Sequence, residues 1–137
     1  MDKKLGGLLL VFFLLFTVFA SSILFSTQLS SITGAKEDYV PSAKASLLFA
    51  YPLLVKADGT TKSIISIFIR SDKGMPVKDK KVILTASVGQ LNIPEVTTDE
   101  KGKATVTLTS STKGVSVIEA MIDGNLKMTQ SLSITFE

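Results

Sequence analysis

Four aspartates, Asp58, Asp72, Asp99 and Asp123, are the side chains whose type and spacing come closest to a chemical site, and that chemistry would be calcium binding between loops. A calcium ion needs roughly six to eight oxygens gathered together. None of the four belongs to a dense Asp-x-Asp-x-Asp run, and each stands with turn formers, as in Asp58-Gly59, Asp72-Lys73-Gly74, Asp99-Glu100-Lys101-Gly102 and Asp123-Gly124. Aspartate favours turns because its carboxylate bonds the backbone just ahead of it, so turn formation is the expected role. No metal ligand set, no cofactor motif and no catalytic residue is assigned.

Covalent chemistry is excluded on composition. The 137 residues contain no histidine, cysteine or tryptophan. That removes the Ser-His-Asp and Cys-His systems, the usual zinc ligands, any disulfide and any lipid attached through sulfur. Serine-lysine catalysis would need an S-x-x-K motif opening an apolar helix, which is absent. The chain is expected not to be an enzyme.

Net charge is +3, and from Lys36 onward 13 basic against 11 acidic residues leave +2. The densest cluster, Lys78-Asp79-Lys80-Lys81, carries an acid in its middle. Nucleic-acid faces need clustered cations interleaved with stacking aromatics, so no nucleic-acid partner is expected.

The elements that would carry any function divide the chain in two. Leu5 to Ala35 holds no charge, and 15 of the 21 residues from Leu5 to Phe25 are Leu, Ile, Val or Phe. As a helix that run is about 31 Å long, matching a hydrocarbon core of about 30 Å. Lys3 and Lys4 precede it, which keeps the N-terminus cytoplasmic and sends the rest across. Residues 5–25 are thus expected to engage a membrane. Three fates stay open: an uncleaved anchor, which the length past Ala20 favours; a signal peptide cut after Ala20 or Ala35; or a type IV pilin-like subunit cut after Gly7. The pilin-like glutamate would fall near Phe12 and is missing. Ser26 to Ala43 reads as a Ser/Thr-rich connector, with 36–44 as the linker proper.

Beyond Lys44, short apolar runs alternate with polar residues and are punctuated by Gly, Pro, Asp and Asn, the pattern of an all-β sandwich of about seven strands. Expected strands run Ser46–Ala50 and Leu53–Lys56 (one edge strand broken at Pro52), then Ser63–Arg70 and Lys81–Ser87. A short irregular strand lies within Gly89–Thr98, followed by Ala104–Thr109, Ser116–Ile122 and Leu126–Phe136. Alternation points Ile65, Ile67, Ile69, Val82, Leu84, Ala86, Ala104, Val106, Leu108, Ile118, Ala120, Ile122, Leu132, Ile134 and Phe136 inward. Gln130 falls on an inward face, which predicts a bulge or an uncovered edge there. Phe68, Val117 and Met121 fall outward, where they would form a contact patch, lie under the connector or pack on an edge.

The segments Ala57-Asp58-Gly59-Thr60-Thr61-Lys62-Ser63, Gly74-Met75-Pro76-Val77, Val82-Ile83-Leu84-Thr85-Ala86-Ser87, Thr97-Thr98-Asp99-Glu100-Lys101-Gly102-Lys103-Ala104-Thr105-Val106 and Val117-Ile118-Glu119-Ala120 with Asp123-Gly124 occur in one order. In that order they resemble the bacterial immunoglobulin-like domain of the invasin/intimin type (group one), from about Ser46 to Phe136. The resemblance implies an Ig-like β-sandwich over 45–137 behind a membrane or signal segment at 1–35. It also implies a structural, cell-surface or adhesion role in the cell envelope, toward a protein or glycan partner that the residues do not identify.

Overall fold

The computed structural model describes residues 2–32 and 39–137, with side chains described at 2–22 and 39–137. The chain forms two compact units, Met1–Glu37 and Asp38–Glu137.

The first unit is one helix, α1 (Lys3–Ile32). The carbonyl of Asp2 receives the first amides, from Leu5 at 2.9 Å and Gly6 at 3.0 Å. Thr17 Oγ1 donates back to the carbonyl of Leu14 at 2.9 Å, so the hydroxyl finds its partner inside the helix. The stretch Lys3–Ser22 has a mean hydropathy of 2.3, and none of it is buried. By length and composition such a helix is a candidate membrane span. It extends past Phe25 through Ser26–Ile32, seven residues assigned from sequence to the connector. Adding residues to an existing helix costs little, and neither Gly nor Pro intervenes before Gly34. Residues 33–38 of the expected connector lie outside the described residues.

The second unit is a sandwich of ten strands. One sheet runs in the order β1 (Leu47–Tyr51), β3 (Ser63–Phe68), β7 (Lys103–Thr109), β5 (Gln90–Leu91). The other runs β2 (Leu54–Val55), β10 (Leu132–Phe136), β8 (Gly114–Ile122), β4 (Lys81–Ala86), β6 (Glu95–Thr97), with β9 (Leu126–Lys127) also on β8. The period-2 expectation holds where apolar and polar residues alternate. Ile65, Ile67, Val82, Leu84, Val106, Leu108, Ile118, Ile122, Ile134 and Phe136 all lie in the core between the sheets. Register matches size: Phe136, the largest fully buried side chain, stands opposite Gly114, and Leu84 stands opposite Ala120.

The break at Pro52 is a change of sheet. Before it β1 pairs antiparallel with β3, and after it β2 pairs parallel with β10, Leu54 opposite Thr135 and Val55 opposite Phe136. The expected single last strand is two: β9 ends at Lys127, β10 starts at Leu132, and Gln130 sits in the gap. Its amide spans to β1, where Oε1 accepts from Leu48 N–H and Nε2 donates to Leu48 C=O, each at 3.0 Å.

The sandwich also begins earlier than the linker assignment 36–44 implies. Tyr39 packs on the core, and Ser42 is buried with its amide on the carbonyl of Arg70 at 2.8 Å. Ser46 Oγ donates to the carbonyl of Ser42 at 2.7 Å and accepts from Arg70 N–H at 3.1 Å. Hydroxyls here replace the ladder bonds that the entering chain does not make.

Candidate interaction surface

The polar side chains that sequence singled out are committed to holding turns. Asp58 Oδ1 accepts from the amides of Thr60 (2.8 Å) and Thr61 (2.7 Å) and from Thr60 Oγ1 (3.0 Å), while Oδ2 accepts from Thr61 Oγ1 (2.7 Å). These bonds favour the ionised form, the Thr61 amide most, and hold the carboxyl well below the usual carboxylate range. Asp99 Oδ1 accepts from the amides of Lys101 and Lys103. Asp123, at φ 50°, accepts from Lys81 N–H and lies 3.3 Å from Lys80 Nζ. Asp72 is an exposed turn residue. The four are not brought together, and among the described residues no three His, Cys, Asp or Glu gather as metal ligands would.

Buried hydroxyls are similarly occupied. Ser116 Oγ donates to the carbonyl of Val88 at 2.6 Å, Ser63 Oγ to that of Pro52 at 2.8 Å, and Thr98 Oγ1 to that of Val77 at 2.9 Å. Among the described residues no buried side-chain oxygen or nitrogen lacks a partner. An open depression of about 520 Å³ is lined by Lys56, Ala57, Asp58, Lys113 and Glu137, two cations facing two anions. That mixture has no strong preference for a charged ligand.

What the head offers a partner is its two outer sheet faces, and they differ. On the second sheet, charges alternate and pair: Lys81 with Glu95 and Lys127 with Glu119, each at 2.8 Å. Donating to the Glu95 carboxylate holds the Lys81 ammonium's pKa above its ordinary value. Val117 and Met121 lie on this face, with Glu119 between them on β8. Phe68 belongs to the other sheet, so the three residues expected as one patch are divided between opposite faces.

Phe68 has different company. Its ring meets Phe49 edge-on, with centroids 6.0 Å apart, and Lys103 Nζ lies 5.7 Å from its centroid. Register places Leu47 beside Phe68, and Tyr51 beside Ile64. Phe49, Tyr51 and Ile64 are 52%, 80% and 49% exposed. Sequence reasoning missed this cluster because Leu47–Tyr51 reads Leu-Leu-Phe-Ala-Tyr, an unbroken apolar run in which alternation cannot say which side chains face water. The available signal was the antiparallel register with Ser63–Phe68, which aligns the two outward rows.

The whole sandwich matches a family model for the bacterial Ig-like domain (group 1) over residues 47–137. The chain belongs to this family. It is 33% identical to intimin of Citrobacter freundii over 85 residues, 61% of this chain and 9% of that protein. Two solved structures are similar: invasin, a bacterial integrin-binding protein (TM-score 0.66, 26% identity, 72% of this chain and 20% of that one), and the Yersinia pseudotuberculosis adhesin InvE (TM-score 0.64, 25% identity, 75% and 29%). The chain thus spans less than a third of the length of each. The invasin/intimin-type Ig-like sandwich expected from the motifs is the fold observed, and α1 stands at the expected N-terminal position.

Proposed function

We propose that the protein is a non-catalytic Ig-like module of the cell envelope, held at a membrane by α1 and presenting its sandwich outside the cell in a structural or adhesive role. One observation carries this reading: a helix of spanning length and a head of the intimin and invasin family occur in one chain. Lys3 and Lys4 orient it with the N-terminus inside. Non-catalysis is supported by the commitment of buried hydroxyls and turn aspartates to their own backbone, which leaves no poised acid, base or nucleophile among them. Since invasin is an integrin-binding protein, the class of partner proposed is a protein at another surface. Fold alone does not fix that choice.

Membrane fractionation with protease shaving tests the placement. The head is expected to be digested in intact cells and to sediment with membranes, whereas protection until lysis would sink the reading. Intact-mass measurement separates the alternatives: a chain beginning at Met1 is the anchored form, at Leu8 the filament subunit, and at Ser21 or Lys36 the secreted domain.

A further inference from the structure

Aspartate followed by glycine is a dipeptide at which a chain can react with itself, because no Cβ shields the amide nitrogen that follows the carboxyl. The glycine nitrogen attacks the carboxyl carbon of the aspartic acid. A C–N bond forms, the C–OH bond breaks, and the hydroxyl leaves with the amide proton as water. The succinimide ring then takes up water again. Opening at the side-chain carbonyl restores aspartate, whereas opening at the main-chain carbonyl leaves isoaspartate, its backbone routed through the side chain and its α-carboxylate free. Mass is conserved, and no substrate is turned over. The sequence offers two such pairs, Asp58-Gly59 and Asp123-Gly124, and both are exposed.

Hydrogen bonding separates the two pairs where exposure does not. At the first, the Gly59 N–H donates to the carbonyl of Ser110 at 2.9 Å. The Asp58 carboxylate accepts four bonds of 2.7–3.0 Å, which keep it ionised. Nucleophile and carboxyl are both occupied. At the second, among the described residues the Gly124 N–H finds no acceptor. Asp123 Oδ1 accepts from Lys81 N–H at 3.2 Å, Oδ2 lies 3.3 Å from Lys80 Nζ, and Asn125 N–H closes the turn on the carbonyl of Ile122 at 3.2 Å. A Cβ on Gly124 would meet nothing within 4 Å. The short bond there, from Asp123 N–H to the carbonyl of Lys81 at 2.7 Å, precedes the reacting bonds and need not break. Bringing the amide onto the carboxyl carbon thus opens three long contacts at Asp123 but five shorter ones at Asp58. An exposed hairpin tip, followed here by a strand of only two residues, belongs to the part of a fold that opens most easily.

We propose that Asp123-Gly124 is a site of spontaneous isoaspartate formation in the folded protein, while the turn at Asp58-Gly59 protects its own pair. The extra main-chain methylene disrupts a two-residue turn and takes the carboxylate away from Lys80 and Lys81. It also disturbs the pairing of Ile122 with Leu126, which packs on the core.

Ageing the full chain in detergent micelles, in mildly acidic buffer at physiological temperature, puts this to the test. Peptides from the aged protein are sequenced by electron-transfer fragmentation, which distinguishes isoaspartate from aspartate. In the folded chain isoaspartate is expected to accumulate several-fold faster at 123 than at 58, and in urea the two rates should converge. Gly124→Ala aged in urea, where turn geometry plays no part, should slow the reaction at 123 several-fold. Equal rates at the two sites in the folded chain, or no gain at 123 over fresh protein, overturn the proposal. A preference for 123 that persists unchanged in urea overturns it as well, since neighbouring residues and not the fold would then decide. An unchanged rate in the alanine variant would rule out the succinimide route.

Discussion

Gln130 holds Leu48 as a neighbouring strand would, accepting its N–H and donating to its C=O at 3.0 Å each, across 82 residues of sequence. The primary amide is a peptide group on a side chain, so it completes the edge of one sheet from the gap between β9 and β10 of the other. Gln130→Ala removes both bonds and leaves a part-buried donor and acceptor, at an expected cost of about 2 kcal/mol. Gln130→Glu keeps the acceptor but sets an ionised carboxylate oxygen against the Leu48 carbonyl, and should cost at least as much at neutral pH. Urea unfolding of both variants checks the order, and equal stability to the parent for Gln130→Ala would show that the bridge is dispensable.

Glycines at positive φ separate two effects. Gly102 has φ 67°, and a Cβ there would stand 2.5 Å from the carbonyl oxygen of Ile69 and 2.9 Å from the amide nitrogen of Val77. Both are backbone atoms bonded to each other at 3.0 Å, so neither can retreat cheaply. Gly124 has φ 73° but open space around it. Gly124→Ala therefore shows the conformational cost alone, about 1 kcal/mol, and Gly102→Ala is expected to exceed it by at least about 2 kcal/mol. Comparable melting temperatures for the two variants would refute the steric account.

The central strands were legible because polar residues interrupt them. Ser66 between Ile65 and Ile67, and Thr105 and Thr107 around Val106, mark which side is wet, and the core follows. Two of the turn aspartates, Asp58 and Asp99, were legible for the same local reason, each bonding backbone two to four residues ahead. What sequence did not reveal depends on distance. Phe49 and Ile64 become neighbours only once β1 and β3 are in register, and the change of sheet at Pro52 needs β10 to be in place. The Gln130 bridge left a trace, a polar residue on an inward face, without indicating its partner. The grouping of Phe68, Val117 and Met121 failed because outwardness is shared by two opposite faces, and alternation cannot tell one sheet from the other.

Acid should loosen the Asp58 turn in a defined window. Its carboxyl is depressed from 3.8 by the Thr60 and Thr61 amides and hydroxyls. A depressed native pKa means that the unfolded chain takes up the proton first on acidification. The stability that Asp58 contributes is then present above pH 3.8, where both states are ionised, and is lost as pH falls below that value toward the native pKa. Asp58→Ala should lower the denaturation midpoint at pH 7, and the gap between variant and parent should narrow by pH 2–3. A gap that stays constant across that range would mean that the carboxylate's charge contributes nothing.

Thr98 offers the sharpest test of the buried hydroxyls. It is 3% exposed, and its Oγ1 donates to the carbonyl of Val77 at 2.9 Å while accepting from the amide of Lys80 at 3.0 Å. One atom thereby ties the chain entering β4 to the chain leaving β6. Thr98→Val preserves shape but exchanges hydroxyl for methyl, stranding a buried carbonyl and an amide, for an expected loss of about 2 kcal/mol. Thr98→Ser keeps the hydroxyl and loses only a methyl, which should cost about 1 kcal/mol. If packing alone held this corner, the valine variant would be the more stable of the two; chemical denaturation of both decides by their order.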